Sequence, residues 1–269
     1  MVVTDPLETA RFDAARAVVL ERIASACARA GRDPASVTLV AVSKTVPPER
    51  VRAALAAGQK LFGENRVQEG ADKRPLVGGG TWHLLGPLQG NKVRRAVESF
   101  DVIESIDSLD LARRLDRIVR EVRELSAEGP VPAEGRFPVL LQVNVDADPG
   151  KAGFAPDELR DALPALADLA ALRLAGCMTI GRLVDDPEAA RPTFRALHQL
   201  AATLRANEPR LGPELSMGMS DDYPVAVEEG ATIVRVGRAR FGDRPAGPGR
   251  PRVSPCGSRH EPGRIGSTG

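Results

Sequence analysis

The chain contains few of the residues from which many functional sites are built. Its three cysteines and three histidines are scattered, so the sequence predicts neither a disulfide framework nor a metal site, and this cysteine usage suits a reducing compartment. Aromatic residues make up only 3% of the chain, which argues against stacking platforms for single-stranded nucleic acid. The core must therefore be built mainly from Ala, Val, Leu and Ile.

The sequence also lacks an excess of either charge and any long apolar run. Lys and Arg number 37 against 36 Asp and Glu, whereas a nucleic-acid partner would favour a basic face. No segment approaches the roughly 20 apolar residues that span a bilayer. The opening stretch MVVTDPLETARFDAAR has early acidic residues and no apolar signal-peptide segment. We therefore predict a cytoplasmic protein that binds neither nucleic acid nor membranes.

What the sequence does contain is an alternation of short apolar runs with amphipathic segments. Strands are predicted near residues 37–43, 60–63, 81–86, 101–105, 137–145, 172–179, 213–216 and 231–236. Helices are predicted over 6–30 and near 47–58, 64–73, 90–98, 108–127, 156–168, 187–207 and 221–230. Eight strands with helical crossovers are typical of a single α/β domain, a (β/α)8 TIM-type barrel. A doubly wound open sheet is disfavoured because no Gly-x-Gly-x-x-Gly follows the first strand.

The two ends of the chain differ in character. No helical pattern follows the last predicted strand, so the extra N-terminal helix is expected to fill that vacant outer position. We expect one barrel domain over residues 1–245, with a surface loop at 128–136. Residues 246–269 are rich in Gly, Pro and Arg and contain few aliphatic residues. Such a segment buries too little surface to offset its chain entropy, so it is predicted to be a disordered tail.

A lysine stands at the end of the first predicted strand. In LVAVSKTVPPERV, residues 39–51, the apolar run ends at Lys44, just before a predicted helix. A lysine amine among apolar neighbours loses its proton more readily, and it can then form a Schiff base with a carbonyl compound. Alternatively, the side chain reaches solvent or pairs with Glu64.

The loops after the seventh and eighth strands are rich in small residues. They contain Ser216, Gly218, Ser220 and Gly237, and such loops commonly bind phosphate in barrels of this type. Small residues let backbone N–H groups approach an anion, and serine adds a hydroxyl donor. The alternative is an ordinary helix N-cap at 220–222. Pyridoxal 5′-phosphate (PLP) carries both an aldehyde and a phosphate and would bridge these loops and Lys44.

An arginine interrupts the eighth predicted strand. Arg235 lies between two valines, and a buried guanidinium needs a partner. It could donate a hydrogen bond to the pyridine nitrogen of PLP, which would leave that nitrogen unprotonated and the ring a weaker electron sink. The alternative is a structural ion pair with Glu64 or Glu104.

Five motifs together resemble one family. They stand in order along the chain: AVSKTVP (41–47), FGENRVQE (62–69), WHLLGPLQGNK (82–92), LSMGMSDD (215–222) and VRVG (234–237). In this order and spacing they are similar to the pyridoxal phosphate homeostasis proteins, which are PLP-binding barrels related to the N-terminal domain of alanine racemase. The resemblance runs from about residue 7 to residue 245.

The resemblance implies a role for each matching residue. It implies a Schiff base between Lys44 and the cofactor aldehyde, with Arg235 facing the pyridine nitrogen. Ser216 and the backbone around Gly237 would hold the phosphate, and Asn65 would line the pocket near the ring. His83 and Met217 would form pocket walls, although His83 could equally be an interior structural histidine. Where the family usually has a threonine after VRVG, this chain has Arg238, which keeps the amide contact and loses the hydroxyl contact. The arginine either supplies a charged donor instead or points outward and leaves the phosphate site weaker.

The same resemblance implies a carrier and not an enzyme. Racemisation or decarboxylation needs a positioned acid–base group besides the lysine, and the single tyrosine, Tyr223, is expected on a helix surface. We therefore predict a non-catalytic monomer, without catalytic residues, that holds PLP and delivers it to apo-enzymes that depend on PLP. The alternatives are an amino-acid racemase or decarboxylase of reduced architecture, and a Schiff-base aldolase that needs no cofactor.

Overall fold

The computed structural model describes residues 5–125, 135–182, 184–219 and 221–237. The loop predicted at 128–136 lies outside the described residues except for its last two positions. The tail predicted over 246–269 lies wholly outside them, as do Ser220 and Arg238. Within the described ranges, no helix is both long enough and apolar enough to cross a membrane.

Eight strands and eight α-helices alternate along the described chain. The strands are β1 (Thr38–Val42), β2 (Leu61–Glu64), β3 (Thr81–Leu84), β4 (Val102–Ile106), β5 (Phe137–Gln142), β6 (Leu172–Met178), β7 (Glu214–Ser216) and β8 (Ile233–Val236). The helices are α1 (Pro6–Arg29), α2 (Pro48–Ala56), α3 (Val67–Val77), α4 (Val93–Ser99), α5 (Leu109–Leu125), α6 (Pro156–Ala167), α7 (Arg191–Asn207) and α8 (Tyr223–Glu228).

The eight strands form a closed parallel barrel in chain order. Each strand pairs with the next, and β8 pairs with β1 to close the ring. The predicted (β/α)8 TIM-type barrel is confirmed, and each predicted strand lies within a few residues of an observed one. Because the crossovers are helical, the helices form an outer layer around the sheet.

Strand alternation divides the apolar side chains between two clusters. The interior cluster lies inside the barrel and comprises Val40, Leu85, Leu140, Ala175, Met178 and Ile233. The outer core lies between the sheet and the helices and is much larger. In β1, Val40 and Val42 contribute to the interior cluster, whereas Leu39 and Ala41 contribute to the outer core. This period of two follows from the pleat of the strand.

The extra N-terminal helix, α1, packs against both α2 and α8 and so completes the outer layer. Its buried face comprises Phe12, Val19, Ile23, Ala26 and Cys27. Asp5 caps its N-terminus by accepting a hydrogen bond from the backbone N–H of Leu7 at 2.9 Å. Helix α1 therefore occupies the outer position for which the sequence predicts no helix after the last strand.

Two helices differ from their predictions. Helix α3 is predicted near residues 64–73, yet it continues through Pro75 to Val77 and ends at Gly78 in a left-handed conformation (φ 76°). Helix α8 is shorter than predicted. Its Tyr223 was expected on the surface, and that prediction is wrong: the side chain is fully buried, and the Arg22 guanidinium of α1 lies 5.2 Å from its ring centroid.

Candidate functional site

Closure of the barrel brings three strand ends together. Strand β8 lies between β7 and β1, with parallel pairing on both sides. The carboxyl ends of parallel strands meet at one face of the barrel. Ser216, Gly237 and Lys44, which end these strands or follow them, therefore lie at that face, and Arg235 lies within β8 just below it.

Lys44 lies in a tight turn that leaves β1. The turn is closed by a hydrogen bond from the backbone N–H of Val46 to the carbonyl of Ser43 at 3.0 Å. Thr45 has φ 64°, a left-handed conformation that side chains branched at Cβ rarely adopt. The Lys44 side chain is half-buried at the barrel mouth.

Glu64, the residue suggested as a partner of Lys44, is engaged elsewhere. It is fully buried at the end of β2, and its Oε1 accepts hydrogen bonds from Lys73 Nζ at 2.6 Å and from Ser43 Oγ at 2.8 Å. Burial raises the pKa of the Glu64 carboxyl, while Lys73 acts in the opposite direction. The positive charge paired with Glu64 is therefore that of Lys73 on α3.

Arg235 is buried inside the barrel and donates two hydrogen bonds. One goes to Ser216 Oγ at 2.6 Å and the other to the carbonyl of Thr179 at 2.7 Å. Its guanidinium lies 4.0 Å from Glu104, so the ion pair considered with Glu104 is present. Burial lowers the pKa of Arg235, and the negative charges of Glu104 and Asp222 oppose that shift.

Glu104 connects three of the predicted site residues. Its Oε1 lies 2.6 Å from His83 Nδ1, and its Oε2 accepts a hydrogen bond from Ser216 Oγ at 2.5 Å. Burial alone would raise the pKa of Glu104, but His83, Arg235 and Ser216 together hold that pKa below its usual value. His83 is therefore a buried histidine with a carboxylate partner, at the base of the same group of side chains.

The loop after β7 is shaped by a glycine and an aspartate. Gly218 has φ 89°, and a Cβ there would lie 2.5 Å from the Cβ of Ala226. Its carbonyl accepts the backbone N–H of Arg235 at 3.1 Å, which ties the loop to β8. The carboxylate of Asp222 accepts the backbone N–H of Met219 at 2.5 Å. This bond lies within the loop before α8, and the Asp222 side chain makes no capping hydrogen bond to a backbone N–H inside that helix.

The remaining predicted residues occupy different positions. Asn65 is half-buried after β2, and a Cβ on Gly86 would lie 2.1 Å from its carbonyl oxygen, so the two backbones are in close contact. Gly237 follows β8 next to Val42. The structure does not bring the Met217 side chain to this group: it is fully buried in the outer core, because it follows the inward-facing Ser216 on the opposite face of the chain.

Sequence reasoning missed one residue of this region and undervalued another. Lys73 was not singled out, although Glu69 and Lys73 stand four apart on a helix, a spacing that favours an ion pair. Glu104 was considered only as a partner of Arg235, and the sequence contains no sign that it would also contact Ser216 and His83. Among the described residues, no group of three or more His, Cys, Asp or Glu side chains could hold a metal ion.

The similarity of this chain to known proteins extends over nearly the whole barrel. A family model for the alanine racemase N-terminal domain matches residues 19–245. The pyridoxal phosphate homeostasis protein of Pseudomonas aeruginosa is 42% identical over 238 residues, 86% of this chain and 95% of that protein. The protein of the same name from Escherichia coli K12 is 40% identical over 237 residues, 85% of this chain and 94% of that protein.

Solved structures give the same result. PipY of Synechococcus elongatus PCC7942, solved with PLP bound, is 44% identical with a TM-score of 0.70, covering 83% of this chain and 100% of that one. An alanine racemase of Clostridium difficile 630 is 14% identical with a TM-score of 0.61, covering 84% of this chain and 56% of that one, and it shows the shared fold alone.

Proposed function

Because this chain belongs to the pyridoxal phosphate homeostasis protein family, built on the fold of the alanine racemase N-terminal domain, we propose that it binds PLP through Lys44 and maintains the cell's supply of that cofactor. The observation that carries the proposal is the meeting of Lys44, Ser216, Arg235 and Gly237 on three adjacent strands. A relative that is 44% identical was solved with PLP bound.

The donor groups of this site fit the chemistry of PLP. Lys44 supplies an amine for the aldehyde, and condensation would form the C=N bond while the aldehyde oxygen leaves as water. The backbone of Gly237 supplies a close-approaching donor suited to a phosphate. The Ser216 hydroxyl, whose one hydrogen is directed to Glu104, would turn that hydrogen to the phosphate when PLP binds. Arg235 supplies a buried cation that would face the pyridine nitrogen, with two of its five N–H groups already directed to Ser216 and Thr179.

The other predicted residues have supporting roles in the proposal. Asn65 would line the ring side of the pocket, and His83 would act through Glu104, which holds Ser216 and faces Arg235. Arg238 would replace the hydroxyl contact of the usual threonine with a charged donor. Met217 would contribute its backbone, because its side chain lies in the outer core.

We propose a carrier and not an enzyme. A bound PLP supplies an electron sink, but catalysis also requires a side chain placed to move a proton at the substrate. Tyr223, the single tyrosine, is buried against Arg22 of α1, so its ring does not reach the barrel mouth. In the cytoplasm, a monomer of this kind would release PLP to apo-enzymes.

The test is the absorption spectrum of the purified protein with added PLP, before and after borohydride. We expect a Schiff-base band that disappears on reduction, with the reduced adduct mapped by peptide sequencing to Lys44. Lys44→Ala should lose the band and retain only weak, borohydride-insensitive binding. An adduct on Lys92 or Lys151 would show that the anchor is wrong.

A second measurement separates the carrier from the enzyme. Amino acids incubated with the PLP-loaded protein in heavy water should keep their α-hydrogens. Exchange at that carbon would instead support the racemase or decarboxylase alternative. Turnover of a sugar phosphate without PLP would support the aldolase alternative.

A further inference from the structure

The ammonium group of Lys73 donates three hydrogen bonds, one of them to the residue that precedes Lys44. Its Nζ donates to the carbonyl of Ser43 at 2.8 Å, to Glu64 Oε1 at 2.6 Å and to Glu69 Oε1 at 2.9 Å. The Lys73 side chain is only 6% exposed. A buried ammonium with three well-placed acceptors holds them in fixed positions, because moving any one of them leaves a charged donor unsatisfied.

Two of these acceptors lead directly to the residues on either side of Lys44. On one side, the carbonyl of Ser43 is bound by Lys73, and the Ser43 hydroxyl donates to Glu64 Oε1. On the other side, Glu69 Oε1 accepts the backbone N–H of Thr45 at 2.5 Å. One cation on α3 thus holds the backbone before and after Lys44.

This support matters because the turn contains an unfavourable backbone conformation. Thr45 has φ 64°, where its branched Cβ is crowded, and glycine is the residue that normally occupies such a position. A conformation of this kind persists when surrounding contacts hold it. The bond from Thr45 N–H to Glu69, with Glu69 fixed by Lys73, is such a contact.

We propose that Lys73 is a positioning residue for Lys44: through Ser43 and Glu69 it fixes the strained turn that presents the Lys44 amine at the barrel mouth. This inference rests on the proposed function, since it assigns the turn a purpose in bond formation with PLP. Lys73 is not itself the anchor. Its ammonium group donates all its hydrogens to fixed acceptors and offers no lone pair to an aldehyde.

The main experiment compares Lys73→Met with Arg74→Met. Arg74 is the next residue on α3 and makes similar bonds, to the carbonyl of Ser99 and to Asp101, both at 2.9 Å, but these bonds lead to α4 and to the residue before β4 and not to the Lys44 turn. For Lys73→Met, we expect Schiff-base formation with added PLP to slow by about tenfold or more, since small misplacements of reacting groups are costly. Arg74→Met should form the Schiff base at the wild-type rate even if it is less stable.

A rescue experiment distinguishes positioning from a general structural role. Glycine at position 45 adopts φ 64° without strain, so it needs less support from Lys73. Thr45→Gly should change the rate little in the wild-type background and recover most of the lost rate in the Lys73→Met background. A failure to recover would overturn the proposal, because the loss would then not pass through the turn.

A variant pair at Glu69 keeps the test decisive if Lys73→Met does not fold. Glu69→Ala leaves the Lys73–Glu64 pair intact and removes the acceptor of the Thr45 N–H, so it should slow Schiff-base formation. Glu69→Gln keeps an acceptor oxygen and should react faster than Glu69→Ala. Equal, wild-type rates in both variants, or in a folded Lys73→Met, would overturn the proposal. If the wild-type protein itself forms no Schiff base with PLP, the proposed function fails instead.

Discussion

The buried carboxylate of Glu104 holds several side chains of the barrel interior in position. It contacts His83, Ser216 and Arg235, which come from three other strands. A buried guanidinium and a buried carboxylate stabilise one another only as a pair, because each alone has lost its hydration. The arrangement of Arg235 and Ser216 at the proposed cofactor site therefore depends on a residue that would not touch PLP.

Glu104→Gln should lower the free energy of unfolding by about 3 kcal/mol, because it leaves Arg235 buried without its nearby anion. Glutamine keeps the shape of the side chain, so the effect reports the charge. The measurement is urea denaturation, with Asp157→Asn as the control, since Asp157 is exposed and its variant should change stability by less than about 0.5 kcal/mol. Equal stability of the two variants would mean that Arg235 does not depend on this carboxylate.

At the scale of elements, α1 occupies the outer position between α8 and α2. It packs against α2 on one side and α8 on the other, with one apolar face buried and the other exposed. Ile23 is 2% exposed within the outer core, whereas Val18 on the same helix is 56% exposed. The barrel is therefore covered at this position by the segment that comes first in the chain.

This packing predicts a sharp contrast between two substitutions on α1. Ile23→Ala should lower the free energy of unfolding by about 2–5 kcal/mol, since it removes buried methyl groups and leaves a cavity. Val18→Ala should be nearly neutral, because its side chain is already in water. Urea denaturation of both variants measures this. A small effect at Ile23 would show that α1 is not integral to the folded barrel.

At the scale of the whole molecule, arginines join α1 and α7 to α8. Arg191 at the start of α7 bonds Glu228 and Glu229 at the end of α8, Arg29 of α1 bonds Glu228 at 2.6 Å, and Arg195 bonds Glu229. The backbone carbonyls of Val227 and Ala231 are also bound, by Arg32. This cluster ties together the three helices that surround β8 and its neighbours.

The arginine cluster predicts a loss of stability in acid. Burial alone would raise the pKa values of Glu228 and Glu229, but the arginine hydrogen bonds hold both below the usual pKa of a glutamate. A carboxylate with a depressed pKa stabilises the fold above its unfolded-state pKa and loses that contribution as the pH falls further. The urea midpoint should therefore drop as the pH is lowered below about 4.5.

The control for this pH dependence is Arg191→Met. It should be less stable than wild type at pH 7 by about 2 kcal/mol, the scale of a charged hydrogen-bond group. Its stability should also change less with pH in the acid range, because the two glutamates lose a main source of their depressed pKa. An identical acid slope in both proteins would rule out Arg191 as the cause.

The amino-acid sequence alone was enough to predict the elements and to single out Lys44 and Arg235. The period of the apolar residues gave the eight strands within a few residues, and the count of eight favoured a barrel. Local signals sufficed because strand alternation, helix periodicity and glycine at helix ends act over short distances. Lys44 and Arg235 were recognisable because a charged group at or within a buried strand requires a reason.

Which side chains contact one another depends on how the barrel closes. Closure of β8 on β1 placed Arg235 and Gly237 beside the strand that carries Lys44, although nearly 200 residues separate them in the chain. It also buried Tyr223 under α1 and directed the Met217 side chain into the outer core. Lys73 reaches the turn that carries Lys44 for the same reason. Helix α3 must pack on the sheet before the Lys73 ammonium can donate to the carbonyl of Ser43. Pairings of this kind depend on barrel closure and strand register, which no local pattern of residues encodes.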